Sequence, residues 1–205
     1  LVDEPGTFVL AWTTTPWTLP GNVALAVGAD VAYAKVSHEG NKYIVAKERL
    51  HEVLKQGFGE GYTHDGAEVT FMSGSELVGK SYKPLFPYYK DTPNAFRVVA
   101  GDFVTTTDGT GVVHIAPAFG DDDFKVGKRE NIPLVHHVGM DGRFNPEVMD
   151  FAGQEVKPRS DDDKVRLSSD IVVLKYLQEH NLFFAKQNLV HSYPHCWRCD
   201  TPLLN

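Results

Sequence analysis

Cysteine is nearly absent from this chain, with two in 205 residues, both in one Cys-x-x-Cys, Cys196 and Cys199. That excludes a disulfide framework and suits a reducing, cytoplasmic setting, with the pair as half of a metal site. Long apolar runs are missing too. Nothing approaches the roughly 20 residues needed to cross a bilayer, and no secretory leader opens the chain. Basic residues are in the minority: 20 Lys and Arg face 27 Asp and Glu, for a net charge of −7. Bulk electrostatic capture of nucleic acid is excluded, because phosphate contacts need basic patches. A phosphate-cradling loop is absent as well. Gly109-x-Gly111 lacks a third glycine and opens a strand instead of a helix. There is no internal repeat and no low-complexity stretch. The first residue is Leu1 and the last is Asn205, with no terminal motif, which reads as a piece from inside a longer protein.

What remains is enough for one large domain or one and a half. Apolar or alternating runs predict strands at 7–11, 23–27, 31–36, 42–46, 68–72, 97–100, 103–105, 112–116 and 182–190. A hairpin tip is expected at 38–42, and turns at 108–111 and 141–142. Helical spacing covers 47–56, stopped by Gly57, then 121–131 with Asp121 as its cap, and 170–179. The polar stretch 152–170 reads as a solvated loop. Short strands, few helices and frequent Gly/Pro turns predict an α+β fold, a β-barrel-like core with peripheral helices.

Three strings carry chemistry. The first is Trp12-Thr13-Thr14-Thr15-Pro16-Trp17-Thr18-Leu19-Pro20-Gly21-Asn22, which follows the first strand. Strand alternation puts Thr13 and Thr15 on one face, with Trp12 and Thr14 on the other. Pro16 forbids an ordinary ladder bond and biases Thr15 toward extended geometry, so a bend there brings the hydroxyls toward one pocket. Threonine is also an ordinary strand residue and Thr-Pro an ordinary turn. Only the full string is specific.

The second string runs from Gly109 through His114 and Pro117 to Gly120-Asp121-Asp122-Asp123-Phe124. It sets a histidine on a strand and three acids at a helix start. Successive helical residues point about 100° apart, so one of the three acids faces any given pocket. A satisfied structural histidine and a solvated acidic cap are the plain alternatives. The third string, His191-Ser192-Tyr193-Pro194-His195-Cys196-Trp197-Arg198-Cys199, offers two of the four ligands of a structural zinc site. Its plain alternative is two unligated cysteines.

Taken together, the three strings resemble the editing domain of isoleucyl-tRNA synthetases, in that family's order and over nearly the whole chain. The valyl and leucyl siblings typically read Thr-Thr-Arg-Pro where this chain has Thr13-Thr14-Thr15-Pro16, so Thr15 favours the isoleucyl member. Ala118 and Phe119 depart from the Gly-His pair of many bacterial members. The resemblance implies an editing domain over 1–190 and a tail over 191–205. In the family the Cys196–Cys199 pair closes a zinc ribbon with an earlier cysteine pair, absent here. The resemblance implies no cofactor for editing and room for a structural zinc in the full-length parent.

The activity implied is hydrolysis of valine wrongly attached to the isoleucine tRNA, or of its adenylate. The implied partners are the tRNA acceptor end, the valine moiety and the rest of the synthetase, with no membrane. In that reading Asp123 anchors the substrate ammonium through a charge-assisted bond. Thr14 and Thr15 orient the attacking water or the terminal ribose. Trp12, Thr13, Thr18 and His114 build the binding wall, and Asn22 either binds the adenosine or locks the loop. Three alternatives stay open: a module that only positions the acceptor end, the editing domain of a valyl or leucyl sibling enzyme, and a metallohydrolase built on His114, His136, His137 and residues 121–123.

Overall fold

A computed structural model describes residues 1–160, 162–187 and 193–204. Among the described residues seven short strands form two sheets. The first contains β1 (Thr7–Val9), β3 (Ala32–His38), β4 (Asn41–Ala46) and β5 (Val69–Ser73), in the order β1-β4-β3-β5. The second contains β2 (Ala24–Val27), β6 (Arg97–Ala100) and β7 (Val112–Ile115), in the order β6-β2-β7. β3 and β4 form the expected hairpin, turned by Glu39 and Gly40, both at positive φ.

The layering follows from which residues alternate. β2 reads Ala-Leu-Ala-Val and is buried throughout, as a strand covered on both faces should be. Leu25 and Val27 pack with Tyr33, Ile44 and Ala46 of the first sheet. Ala24 and Ala26 point the other way and pack with Val126. On the far side of the first sheet, Ala34, Val36 and Val45 meet Leu50, Val53 and Leu54 of helix α1 (Leu50–Phe58). A separate apolar cluster gathers Trp17, Leu19, Phe86, Phe144, Phe151, Val173 and Leu177. The last two lie on a helix late in the chain, Ser168–Glu179.

The expected barrel does not close. The two sheets are instead joined where the chain passes from one to the other, and again where the Ala46 N–H at the end of β4 donates to the Thr110 carbonyl at 2.9 Å. β1 pairs in parallel with β4 up to Val9–Ile44, and Leu10 still bonds the Ile44 carbonyl at 3.0 Å. Two residues later the Trp12 N–H donates to the Val112 carbonyl at 3.0 Å, so the chain has crossed to β7. The threonine string begins at this handover. Trp12 is seated by Gly109, whose φ is +65° and whose missing Cβ would lie 2.7 Å from the indole Cγ.

Several boundaries differ from the sequence expectation. Residues 47–49 form a 3-10 turn before α1, and the helix runs through Gly57 to Phe58. Phe184 occupies the space a Gly57 side chain would need, and Phe58 is drawn into a ring cluster with His38, Tyr43 and Tyr62. Residues 103–105 are not a strand; Phe103 turns back against Gly101. A one-turn helix α2 (Gly74–Leu77) begins at a Ser73/Glu76 capping box. α3 spans Asp121–Arg129 with Gly120, not Asp121, at its cap. The polar loop holds a short helix α4 (Asp163–Arg166), and α5 starts early, at Ser168–Glu179. Residues 182–187 form no strand, and the rest of that expected strand, 188–190, lies outside the described residues. Among the described residues no helix is long and apolar enough to cross a membrane.

Candidate active site

The threonine string leaves the sheet and folds into a 3-10 turn, Pro16–Gly21. Proline suits the first position of such a turn, having no N–H to leave unpaired. Thr15 stands before it at φ −129° and ψ 81°, the extended side that a following proline imposes. Thr14 is exposed, while Trp12, Thr13 and Thr15 are half-buried. Strand alternation thus survives in the burial of Thr13, Thr14 and Thr15, although the ladder itself ends at Val9 and the Trp12 bridge.

A chain of hydrogen bonds runs inward from Thr15. The Thr15 and Thr18 hydroxyls lie 3.5 Å apart, and Thr18 Oγ1 is 2.8 Å from His114 Nε2. His114 Nδ1 is 3.2 Å from Asn22 Nδ2, and the Tyr82 hydroxyl donates to Asn22 Oδ1 at 2.6 Å. His114 sits opposite Leu25 in the antiparallel β2–β7 pair, which fixes its depth. It is buried, and burial together with repulsion from His137 pushes its pKa down to about 3. It is a neutral, fixed side chain, not a proton carrier near pH 7.

Asp123 arrives by another route. α3 is nine residues long, too short to stand alone in water. It is held by buried Val126, worth about 2 kcal/mol of apolar burial. Gly127 adds a close approach to Pro117. Acids lead and Lys128 and Arg129 end the helix, in the sense its dipole favours. Asp121 and Asp122 pair with Lys125 in solvent. Asp123 turns inward, where its Oδ2 accepts from the Ala116 N–H at 3.1 Å, two residues past His114. Burial, then repulsion from Asp122, pushes its pKa up to about 6 against the opposing Ala116 bond. It makes no ion pair among the described residues.

Of the residues singled out in the sequence, the structure therefore joins Thr15, Thr18, His114 and Asn22 in one network. Asp123 is fastened to the end of the same strand, through Ala116. Thr13 Oγ1 accepts from the Thr15 N–H at 3.2 Å and so shapes the loop. No hydrogen bond among the described residues ties Thr14 or Asp123 directly to that network. Asn22 also donates to the Ala24 carbonyl at 2.9 Å, a loop-locking contact. Phe119, the departure from the family pattern, packs edge-on against both Trp17 and His137. Tyr82 was missed by sequence reasoning; it is one tyrosine among eight, 60 residues from Asn22, with no local signal.

The cysteine pair lies on a tight turn, with Cys199 exposed and its Sγ 3.2 Å from Thr201 Oγ1. Hydrogen bonds from Thr201 lower the Cys199 pKa. His195 Nδ1 is engaged with the Tyr193 carbonyl at 2.8 Å, and His191 lies outside the described residues. Two thiols fit half of a zinc site and no more. Among the described residues no three His, Cys, Asp or Glu side chains converge to hold a metal, which leaves the metallohydrolase alternative without a ligand set.

No family model matches the chain. It is 44% identical over 202 residues to an isoleucine–tRNA ligase of Bacillus thuringiensis, covering 98% of this chain and 18% of that protein. It is 41% identical over 198 residues to the isoleucine–tRNA ligase of Thermoplasma volcanium, covering 97% of this chain and 17% of that one. The chain thus spans under a fifth of the length of the curated relatives it matches. Among solved structures, GlLeuRS-CP1 superposes with a TM-score of 0.60 at 15% identity, over 89% of this chain and 85% of that one. A P. falciparum cytosolic leucyl-tRNA synthetase editing domain matches 61% of this chain at a TM-score of 0.47. The GlLeuRS-CP1 likeness shows the fold, and the sequence identity shows the lineage: the chain belongs to the isoleucine–tRNA ligase family.

Proposed function

We propose that residues 1–190 are the editing hydrolase of an isoleucine–tRNA ligase and cleave valine from mischarged isoleucine tRNA, while 191–205 carry half of a zinc ribbon completed elsewhere in the protein. The observation that carries this is Asp123: an inward carboxylate, half-buried, bonded on one oxygen, with no cation beside it among the described residues. An aminoacyl ester brings an ammonium next to its scissile carbonyl, and a carboxylate so placed is a ready anchor. Burial, with repulsion from Asp122, raises the Asp123 pKa to about 6, but a bound ammonium would return it to the charged form. Its role is anchoring, not proton abstraction. The ester is already activated by its neighbouring hydroxyl and ammonium, so positioning a water, a task given to Thr14 and Thr15, contributes several kcal/mol on its own.

Selectivity needs a second site because one methylene in an apolar pocket discriminates by only about 1–3 kcal/mol, a magnitude established on enzymes of this same family and independent of the present structure. A rigid wall supplies the exclusion. His114 is immobilised through both ring nitrogens, and β-branched threonines are stiff at χ1. The tRNA acceptor end is the partner, its affinity drawn mainly from the rest of the ligase, since this chain is acidic.

The test is deacylation of valyl-tRNA(Ile) by the full-length protein. Asp123→Ala should abolish it while isoleucine activation persists. Undiminished hydrolysis removes the anchor role. If wild type binds the acceptor end but neither hydrolyses the ester nor binds a non-hydrolysable valyl-adenosine, the chain is a positioning module.

A further inference from the structure

The first N–H groups of a helical turn have no partner within it. At the turn Pro16–Gly21, proline removes one donor, and the Thr18 N–H reaches the Thr15 carbonyl at 3.0 Å. That leaves the buried Trp17 N–H. The residue in the capping position, Thr15, would ordinarily turn its hydroxyl back onto such a donor. It makes no side-chain cap bond. The Trp17 N–H donates instead to Asp170 Oδ1 at 3.0 Å, from the first turn of α5 and 153 residues away in sequence. The second oxygen of Asp170 takes the Lys157 ammonium at 3.0 Å, and both side chains are nearly shielded from solvent, 11% and 13% exposed. The Trp17 carbonyl is gripped as well, by His137 Nε2 at 3.0 Å. His137 lies so close to the turn that a Cβ on Gly21 would fall 2.2 Å from its Nδ1.

We propose that Asp170 is a positioning residue for editing: it caps the threonine turn in place of Thr15 and thereby keeps the Thr15 hydroxyl, 3.5 Å from Thr18 Oγ1, available to the reaction instead of turned back onto the Trp17 N–H. This rests on the hydrolase reading above. A carboxylate is the right group for the task, because a charge-assisted bond to a buried N–H is stronger than a hydroxyl's. Lys157 orients the second oxygen and supplies the compensating charge. Once the Asp170 acceptor is gone, the Thr15 hydroxyl, already in the capping position, is the group that would satisfy the Trp17 N–H. The turn then recruits it, and the reacting water loses its guide. The ammonium anchor on α3 is untouched, so the loss falls on kcat and not on KM.

Two double variants of the full-length protein separate the cap from the ion pair. D170N/K157M keeps an oxygen for the Trp17 N–H and removes both charges. D170L/K157M removes the charges and the oxygen together. The first should hydrolyse valyl-tRNA(Ile) within about twofold of wild type, and the second should lose kcat by roughly ten- to a hundredfold with KM little changed, the scale of a small misplacement at a reacting centre. Amide hydrogen exchange gives a reading free of any activity. The Trp17 amide should exchange faster in D170L/K157M alone, and Thr15→Val should leave it as slow as in wild type. Equal kcat in the two double variants, or a Trp17 amide that speeds up in Thr15→Val, overturns the proposal. The Thr15→Val arm decides even if the leucine variant fails to fold. A wild-type protein with no deacylase activity would sink the hydrolase reading, while the exchange pattern would still decide the cap.

Discussion

Asn22 makes His114 an acceptor at Nδ1. The Tyr82 hydroxyl donates to Asn22 Oδ1 at 2.6 Å, which fixes the amide with its NH2 toward both the Ala24 carbonyl at 2.9 Å and His114 Nδ1 at 3.2 Å. The single ring proton is then on Nε2 and goes to Thr18 Oγ1, whose own proton goes to the Thr15 carbonyl at 2.8 Å. Each proton in the chain has one destination. Nitrogen-15 NMR of labelled protein should therefore show the Nε2–H tautomer of His114, unchanged from pH 7 down to about 4.5 given a pKa pushed to about 3. A ring that titrates near pH 6.5, or carries its proton on Nδ1, contradicts the network.

The same burial predicts acid sensitivity. His114 is held down to about 3 and His137 to about 4, His137 by burial against the raising effect of the Trp17 carbonyl. Both lie below the unfolded value near 6.5. The unfolded chain thus binds protons that the fold refuses. The stability these histidines contribute is complete above about pH 6.5 and drains as pH falls toward the folded values. The urea midpoint should drop between pH 7 and pH 5, and His137→Phe should blunt that drop; an unchanged midpoint would place the titration elsewhere.

Much of this site was legible in the sequence because its signals are local. Pro16 announces the bend after Thr15, and the run 112–116 announces the strand that buries His114. Gly120-Asp121-Asp122-Asp123 announces the helix start, though not that Gly120 takes the capping position and frees Asp123 to turn inward. The long-range partners were illegible for a physical reason. Asp170 and Lys157 look like members of a solvated, mixed-charge stretch, and nothing near them says that one closes a turn 153 residues earlier. Helix α1 outran Gly57 for a similar reason: the deciding contact is Phe184, far along the chain. The sheet handover at Trp12 also escapes local patterning, since it depends on where β7 lies.

Trp12 and Gly109 must fit together. At φ +65°, with a Cβ landing 2.7 Å from the indole Cγ, Gly109 admits no side chain without displacing Trp12 from its bridge to β7. Gly109→Ala should cost about 2–4 kcal/mol, adding left-handed strain to overpacking. The check is chemical denaturation alongside valyl-tRNA(Ile) deacylation, which should fall further than stability alone accounts for. A neutral substitution would mean that the handover does not depend on this contact.

The proposed exclusion wall has a testable weak point at Thr18. Thr18→Val keeps the shape but leaves the His114 N–H buried and unpaired, at a cost of about 1–3 kcal/mol. A freed ring should tolerate the larger amino acid, so Thr18→Val and, more strongly, His114→Ala should begin to cleave isoleucyl-tRNA(Ile). Full protection of the correct product in both variants removes His114 from the wall.

Asp123 ties function to stability with a definite sign. Its folded pKa, about 6, stands above the value near 3.8 expected in the unfolded chain. Below about pH 3.8 both states are protonated and the residue costs nothing. Between there and pH 6 the unfolded chain ionises first, and above pH 6 the full penalty of holding a half-buried, unpaired carboxylate is in place. Asp123→Asn keeps the oxygen that accepts from Ala116 and removes the charge. It should therefore stabilise the fold by on the order of 1–3 kcal/mol at pH 7.5 and by almost nothing at pH 3.5. The same variant should lose ester binding, since the ammonium has no anchor. In the wild type, KM for the ester should rise as pH falls below 6, because the proton competes with the substrate for one carboxylate. Thermal melts at the two pH values, read beside KM against pH, separate this from ordinary surface charge removal. A variant no more stable than wild type at pH 7.5 would mean that a cation elsewhere in the full-length protein already satisfies Asp123.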